Sequence, residues 1–381
     1  MLIFIYNSNS LNLSFQIRLN TRSDNTIRVM RFELLLSCLI IITCVNTFAQ
    51  TPTTAIAGEK HLANIKQLTF GGENAEAYFS SDGRQLIFQS KRDGRGCDQI
   101  YSMNIDGSNV KMVSNAEGRT TCSYFFKGGK KVLYASTFGG KKECPVEPDR
   151  SKGYVWPVYW EYEIYTATPD GKNIKNLTNK PGYDAEATIS PDGKKIIFTS
   201  ERDGDLELYS MDINGKNIKR LTNEIGYDGG AFFSPDSKQV VYRRSAQETP
   251  EDIKKYKDLL ALHLVVPTIF EVWVMNADGT NKRQVTKLGS ASFAPFFTPD
   301  GKRIIFCTNY FDPDKGNRRK QPNFDLALIN VDGTGIERVT YNETFDGFPM
   351  FSPDGKKLVF ASNRNDAKPG DTNVFIADWV N

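Results

Sequence analysis

Residues 185–222 read AEATISPDGKKIIFTSERDGDLELYSMDINGKNIKRLT and divide into four short runs: EATIS, KIIFTS, LELYSMD and IKRLT. In the second run Ile196 and Phe198 fall on one face and Ile197 and Thr199 on the other. That period of two predicts strands and argues against helices. Between the first two runs stands S-P-D-G: Ser suits the first position of a type I turn, Pro fixes φ at the second, and Gly suits the last. D-I-N-G makes a similar tight turn between the third and fourth. Two hairpins in series give a four-stranded antiparallel meander.

The turn recurs as SSDG (80–83), SPDG (190–193), SPDS (234–237), TPDG (298–301) and SPDG (352–355), with a decayed FKGG at 126–129. The third residues stand at 82, 128, 192, 236, 300 and 354, so the gaps are 46, 64, 44, 64 and 54. A unit of roughly 40–45 residues with four strands predicts a β-propeller, one blade per unit. Fourth strands are legible as NVKMVS (109–114), NIKNLT (173–178), NIKRLT (217–222), NKRQVT (281–286) and GIERVT (335–340). The sixth is missing from its place, because the chain ends on a third strand, TNVFIADWVN. An orphan copy, NIKQLT, stands at 64–69. It is expected to pair with the C-terminal blade and close the ring, hiding edges that an open sheet would expose. The fold class is therefore all-β, a six-bladed propeller of four-stranded antiparallel blades over 64–381.

These residues resemble the TolB-type propeller repeat: the SPDG turn, a middle such as RDGRGCDQIYSMNIDG (92–107), and the closing LT. The resemblance covers the propeller part of TolB only. TolB carries an α/β domain before its propeller, whereas here a short linker, 50–63, is expected between the first strand and a signal segment. Relatives of the repeat also form the propeller half of prolyl-oligopeptidase-type enzymes. No hydrolase half is expected here. The resemblance implies a module of the cell envelope that binds protein.

Residues 30–50, MRFELLLSCLIIITCVNTFAQ, supply a basic start at Arg31, an apolar run from Leu34 to Val45, and small residues before Gln50. This predicts a secretory signal over 1–49, with 1–29 an over-extended start, and a periplasmic or secreted protein. The apolar run of about a dozen residues is shorter than the roughly 20 that span a bilayer, so no transmembrane segment is expected after signal removal. A net charge of +3 with dispersed Lys and Arg argues against nucleic acid as a partner. In an oxidising compartment one disulfide is expected among Cys97, Cys122 and Cys144; Cys307, inside IIFCT, reads as a core thiol.

Loops between second and third strands emerge on one face of the ring, and this face holds every insertion: 139–160, 245–269 and 309–323. It is expected to be the working face. Asn74, Thr120, Asp184, Asp228, Ser292 and Asp346 take equivalent places near the start of each inner strand and are expected to ring the channel mouth. Glu76 and Glu186 lie two residues further in, and Arg92, Arg202 and Arg364 come from the ends of second strands. These charges either pair with one another across blades or form a polar funnel for a peptide, a sugar or a cation. Tyr154, Trp156, Tyr159 and Trp160 in the blade 2 insertion either make an aromatic platform beside the funnel or pin their loop to the ring. The blade 4 insertion predicts a helix capped by Thr249 and Asp252, with Pro250 in its first turn and a stripe of Ile253, Tyr256, Leu260 and Leu264.

Only two histidines occur: His61 reads as a surface residue and His263 as structural. There is no G-x-S-x-G, no H-E-x-x-H and no clustered His or Cys for zinc; no cofactor and no metal site are expected. The sequence thus points to a non-catalytic binding or scaffold propeller of the envelope, with an envelope protein or peptide as partner. The alternative is a carbohydrate-active hydrolase or lyase using carboxylates at the mouth.

Overall fold

The computed structural model describes residues 55–149, 153–267, 269–313, 322–368 and 370–381 in full, and 3–5, 14–16 and 52–53 along the main chain. The N-terminal stretch, 1–49, forms a unit by itself in which Ile3–Ile5 pairs antiparallel with Ser14–Gln16. The apolar segment expected to be a signal lies outside the described residues. No helix among the described residues is long and apolar enough to cross a membrane.

Residues 50–381 build six blades around a central channel. In blade 3 the order is Asp184–Ile189, Lys195–Ser200, Glu207–Asp212 and Lys219–Arg220, each strand antiparallel to the next. First strands face the channel, and second strands are the driest: Ile196, Ile197 and Phe198 are fully buried, as are Leu86, Ile87 and Phe88 in blade 1. Both faces of a second strand are covered, which explains why its apolar run is almost continuous.

The hairpin turns follow from their sequence. In SPDG the Ser190 hydroxyl donates to Asp192 (2.6 Å) and accepts the Lys195 amide (3.0 Å), and Gly193 takes a left-handed φ of 77°. The same bonds recur at Ser80, Ser234, Thr298 and Ser352. These hydroxyls hold the turn aspartates below the usual carboxylate range.

The LT that ends each repeat has an equally specific task. In every blade the hydroxyl of this Ser or Thr accepts an amide from the second residue of the third strand: Ser114 from Ile100, Thr178 from Ile164, Thr222 from Leu208, Thr286 from Val272, and Thr340 from Leu326. In blade 6 the acceptor is Thr69, which takes the Val374 amide at 2.9 Å and donates to Asn373 (3.1 Å). The orphan hexapeptide is thus the sixth fourth strand. Leu62–Gln67 pairs with Asn373–Trp379, and Leu68 donates its amide to Val374. Pro52–Thr53 adds a fifth, outermost strand to this blade.

Two residues just before the closing strand are structural. Glu59 is buried and accepts two bonds from Arg364 (2.9 and 3.3 Å). His61 is also buried, which corrects the surface reading. Its ring stacks on Trp379 at 4.9 Å, and its nitrogens meet the Val380 carbonyl (2.8 Å) and Glu337 (2.9 Å). All three partners of its ring, Trp379, Val380 and Glu337, lie more than 270 positions away in the chain, so local pattern could not reveal its burial.

Because Thr69 serves blade 6 as Thr222 serves blade 3, Thr69→Val and Thr222→Val should each lower unfolding stability by about 1–3 kcal/mol, the cost of leaving a buried amide unpaired. Urea unfolding of both variants checks this; a Thr69→Val protein as stable as wild type would show that the ring does not depend on this closing bond.

Candidate functional site

Each inner strand carries a β-bulge at the same place, between Ala75 and Tyr78 in blade 1 and between Ala185 and Thr188 in blade 3. The third residue there takes a left-handed backbone in all six blades: Glu76, Cys122, Glu186, Gly230, Ala294 and Phe348, with φ between 50° and 58°. In a regular strand residues two apart share a face. The bulge breaks this alternation, and the first and third residues part company.

The first residues do not reach the channel. Asn74, Thr120, Asp184, Asp228, Ser292 and Asp346 are all buried inside their blades. Asp184 is gripped by both bonds of Arg202 (2.9 and 3.0 Å) and Asp346 by Arg364 (2.9 Å), while Arg92 donates to Asn74 (2.8 Å). Each arginine also lies over an aromatic ring of its own blade, Phe88, Phe198 or Phe360. Asp228 sits 3.8 Å from Arg244. Burial raises all three aspartates, with the arginines opposing it. Of the residues expected at the mouth, these six — Asp184, Asp228, Asp346, Arg92, Arg202 and Arg364 — make ion pairs and hydrogen bonds within the wall.

The other four come together. Glu76, Glu186, Trp156 and Tyr159 line a cavity of about 660 Å³ that opens on the insertion face. Its floor is closed by the fifth residues of the inner strands. Tyr78, Tyr124, Phe232 and Phe296 meet ring to ring at 5.2–6.4 Å across the channel. The channel is therefore a blind funnel. Beyond the septum a smaller cavity, about 320 Å³, opens among the turn prolines Pro191, Pro235, Pro299 and Pro353.

Glu186 is saturated. Arg243 (2.6 Å) and the Tyr227 hydroxyl (2.8 Å) donate to one oxygen, Thr199 (2.8 Å) and the Gly230 amide (2.9 Å) to the other. Burial alone would raise this carboxyl, but Arg243 and these donors hold it below its ordinary value. The Arg243 guanidinium lies among Tyr227 (4.6 Å), Phe270 (5.4 Å) and Trp156 (5.6 Å). Gly229 and Gly230 make the room: a Cβ on the first would run into the Glu186 carboxylate and on the second into the Arg243 guanidinium.

Arg243 was not among the residues expected. A signal for it exists, since its equivalents opposite the second inner-strand residue are Gln89, Ala135, Thr199, Cys307 and Ala361, all uncharged. Glu76 differs from Glu186. It faces the cavity with the Tyr78 hydroxyl at 3.5 Å and the Cys122 thiol beside it. Burial pushes its carboxyl up to about 7; the Glu186 charge adds to the rise, while a hydrogen bond with Cys122 and the Arg243 charge oppose it.

The rim is built by the insertions. Cys97–Cys144 is the disulfide, and it ties the blade 2 insertion to blade 1. Trp156–Pro157 pairs with Leu264–Val265, so the insertions of blades 2 and 4 share a small sheet. The expected helix spans Pro250–Leu260 with its Thr249–Asp252 capping box, and buries Tyr256 and Leu260. Both readings of the aromatic loop hold in part. Trp156 packs on Phe270 and Phe293 while lining the cavity, whereas Tyr154 and Trp160 are exposed. At the edge Arg119 bridges Asp98 (3.1 Å) and Glu147 (2.6 Å) and donates to Tyr159 (3.1 Å).

Glu207, Glu224 and Asp228 bring carboxylate oxygens within 4.8 Å of one another between blades 3 and 4. Arg220, Arg244 and Lys282 already lie against them, at 2.8, 3.2 and 3.5 Å. The charges of this cluster are largely met by the protein.

A family model described as the TolB β-propeller domain matches residues 160–265. A TolB homologue from Chlorobium chlorochromatii is 28% identical over 142 residues, 32% of each chain. The Tol-Pal system protein TolB of Bordetella pertussis is 29% identical over 117 residues, 27% of this chain and 24% of that one. The matches thus span about a third or less of these relatives' length. The crystal structure of TolB from Acinetobacter baumannii superposes with a TM-score of 0.50 at 18% identity, covering 81% of this chain and 63% of that one.

For Glu76, the folded value near 7 lies above the ordinary value of 4.5. The folded state then binds more protons than the unfolded state between those values, so this group makes stability fall as pH rises from about 4.5 to 7. Glu76→Gln should remove that part of the slope and gain stability relative to wild type at pH 8 more than at pH 4. Thermal melts of both proteins across this range test it; parallel curves would show that Glu76 titrates normally. Gly230→Ala, by displacing Arg243 at a left-handed position, should cost about 2–3 kcal/mol, measured by urea unfolding. Residues 160–265 are a TolB-type β-propeller segment, and the six-bladed ring to which they belong is similar in fold to the propeller of TolB.

Proposed function

We propose that this protein is an exported TolB-like propeller, a non-catalytic binding module of the cell envelope that takes a segment of a protein partner into the funnel on its insertion face. The organisation proposed with it is a signal over 1–49, a linker over 50–63 and the propeller over 64–381, in the periplasm or outside the cell. The observation that carries the reading is the blind cavity of about 660 Å³ with its aromatic wall of Trp156, Tyr159, Tyr162, Tyr183 and Tyr227. Concave aromatic surface held on a rigid frame is what binding requires, because such side chains gain contact area at little entropic cost. Disulfide, shared sheet and capped helix all hold the rim in place. Glu186 uses both oxygens on the protein itself, which suits a fixed wall better than a reacting base. The similarity to Tol-Pal TolB supports an envelope partner.

A second reading rests on one observation. Glu76, raised to about 7, and Glu186, held low, share the cavity, and two carboxyls pushed apart in this way could serve as acid and base on a glycan.

A photo-crosslinking residue at Tyr154, on the exposed rim, should capture an envelope protein. That protein, purified, should bind wild type and bind Trp156→Ala at least tenfold more weakly, while Pro353→Ala beyond the septum leaves affinity unchanged. Equal affinity for wild type and Trp156→Ala would overturn the funnel as the binding site. Turnover of a glycan panel that vanishes in Glu76→Gln would favour the second reading instead.

A further inference from the structure

We propose that the funnel selects an organic cation on an apolar stem, such as a lysine side chain, with Glu76 as its counter-ion. This rests on the reading of the funnel as the binding site and adds the chemistry that it recognises.

The charges that line the cavity do not balance. Five acids line the cavity, Glu73, Glu76, Asp98, Glu147 and Glu186, against three bases, Lys91, Arg119 and Arg243. Every base has an acid beside it: Lys91 meets Glu73 at 3.6 Å, Arg119 meets Asp98 and Glu147, and Arg243 meets Glu186. Among the described residues Glu76 alone of the five has no basic group within ion-pair distance. An anionic ligand would have to displace a protein carboxylate to find a cation, from Lys91 in an exposed pair or from Arg119 or Arg243 in buried ones. A cationic ligand finds Glu76 ready, and it also relieves the repulsion between Glu76 and Glu186.

The groups facing Glu76 from each neighbour agree. Tyr78 on its own strand offers a hydroxyl, Cys122 on blade 2 a thiol that burial keeps protonated, Glu186 on blade 3 a negative charge, and Asp98 on blade 1 another. The positive charge that acts on Glu76 is that of Arg243, and it is bound to Glu186. A metal ion is a poor fit, because Glu76 belongs to no group of three converging ligands among the described residues. The ligand's stem is accounted for by blades 5 and 6, where Phe293, Ala294, Phe345 and Phe348 give the same cavity an apolar surface. Aromatic faces accept both methylenes and a cation.

Hexylammonium, hexanol and hexanoate share one stem and differ in charge, and Trp156 fluorescence or calorimetry reports their binding to the purified protein. At pH 8 the order of affinity should be ammonium, alcohol, carboxylate, with ammonium at least tenfold ahead of alcohol. Hexylammonium stays protonated over the range used, so its affinity should rise about tenfold from pH 6 to pH 8 as Glu76 ionises, while that of hexanol stays flat. In Glu76→Gln the preference for ammonium and its pH dependence should both disappear, with hexanol binding retained. Hexylammonium binding no better than hexanol, or an unchanged preference in folded Glu76→Gln, would overturn the proposal; the pH profile of wild type tests it even if the variant does not fold. If the probes behave as expected but no envelope protein depends on Trp156, the cation site stands and the assignment of a protein partner falls.

Discussion

The last blade of a ring of sheets would leave the main-chain groups of its third strand unpaired, and the other end of the chain can supply the strand that covers them. Here that constraint is met by Leu62–Gln67 on Asn373–Trp379. The pairing is secured beyond its ladder. Thr69 takes the Val374 amide, Glu59 takes Arg364, and His61 fills the space beside Trp379. Blade 6 therefore rests on contacts between residues about three hundred positions apart, and its formation carries a large loop-closure cost. Local repeats can order first and the ring can close last. The buried Glu59–Arg364–Asp346 network is worth little unless all of it is assembled, so it favours the closed ring over partly closed ones.

Within the closed ring the inner strands divide their labour by position. Their first residues lock each blade from within, through pairs such as Asp184 with Arg202. Their third residues, turned by the bulge into the left-handed region, face the cavity. Their fifth residues make the septum. A non-glycine residue in that region is strained by about 1–3 kcal/mol, and five of the six positions carry one: Glu76, Cys122, Glu186, Ala294 and Phe348. The main-chain bonds of the flanking ladder hold them there. Side-chain identity at this one place can change without disturbing the blade beneath it.

The fold was legible because its signals are local. A Ser or Thr whose hydroxyl serves the turn two residues on, a Gly at a left-handed site, and an LT whose hydroxyl caps the neighbouring strand are all written within ten or twenty residues. The site was legible only in part. Glu76 and Glu186 were found by counting along the inner strand, and Trp156 and Tyr159 by the composition of their loop. The same count put Asp184, Asp228 and Asp346 at the mouth, because it assumed regular alternation and a bulge leaves no composition of its own. Arg243 escaped for a different reason. Its partner lies on another blade, and the space for its guanidinium is made by the side chains that Gly229 and Gly230 lack.

The room left by Gly229 and Gly230 explains how a ring of equivalent blades acquires a polar side and an apolar side. The third positions read Glu, Cys, Glu, Gly, Ala, Phe around the ring, so blades 1 to 3 present polar groups and blades 5 and 6 present carbon. Blade 4 is the boundary. With no side chain at Gly230, its place is taken from behind by Arg243, which reaches across to blade 3 and neutralises Glu186. Without Arg243, Glu186 would lose its ion pair, and burial with the charge of Glu76 would push its carboxyl up. With it, one carboxyl is fixed as an ion pair and the other is left as the single uncompensated acid of the funnel. The asymmetry of the site thus follows from one missing side chain and one arginine placed where other blades carry neutral residues.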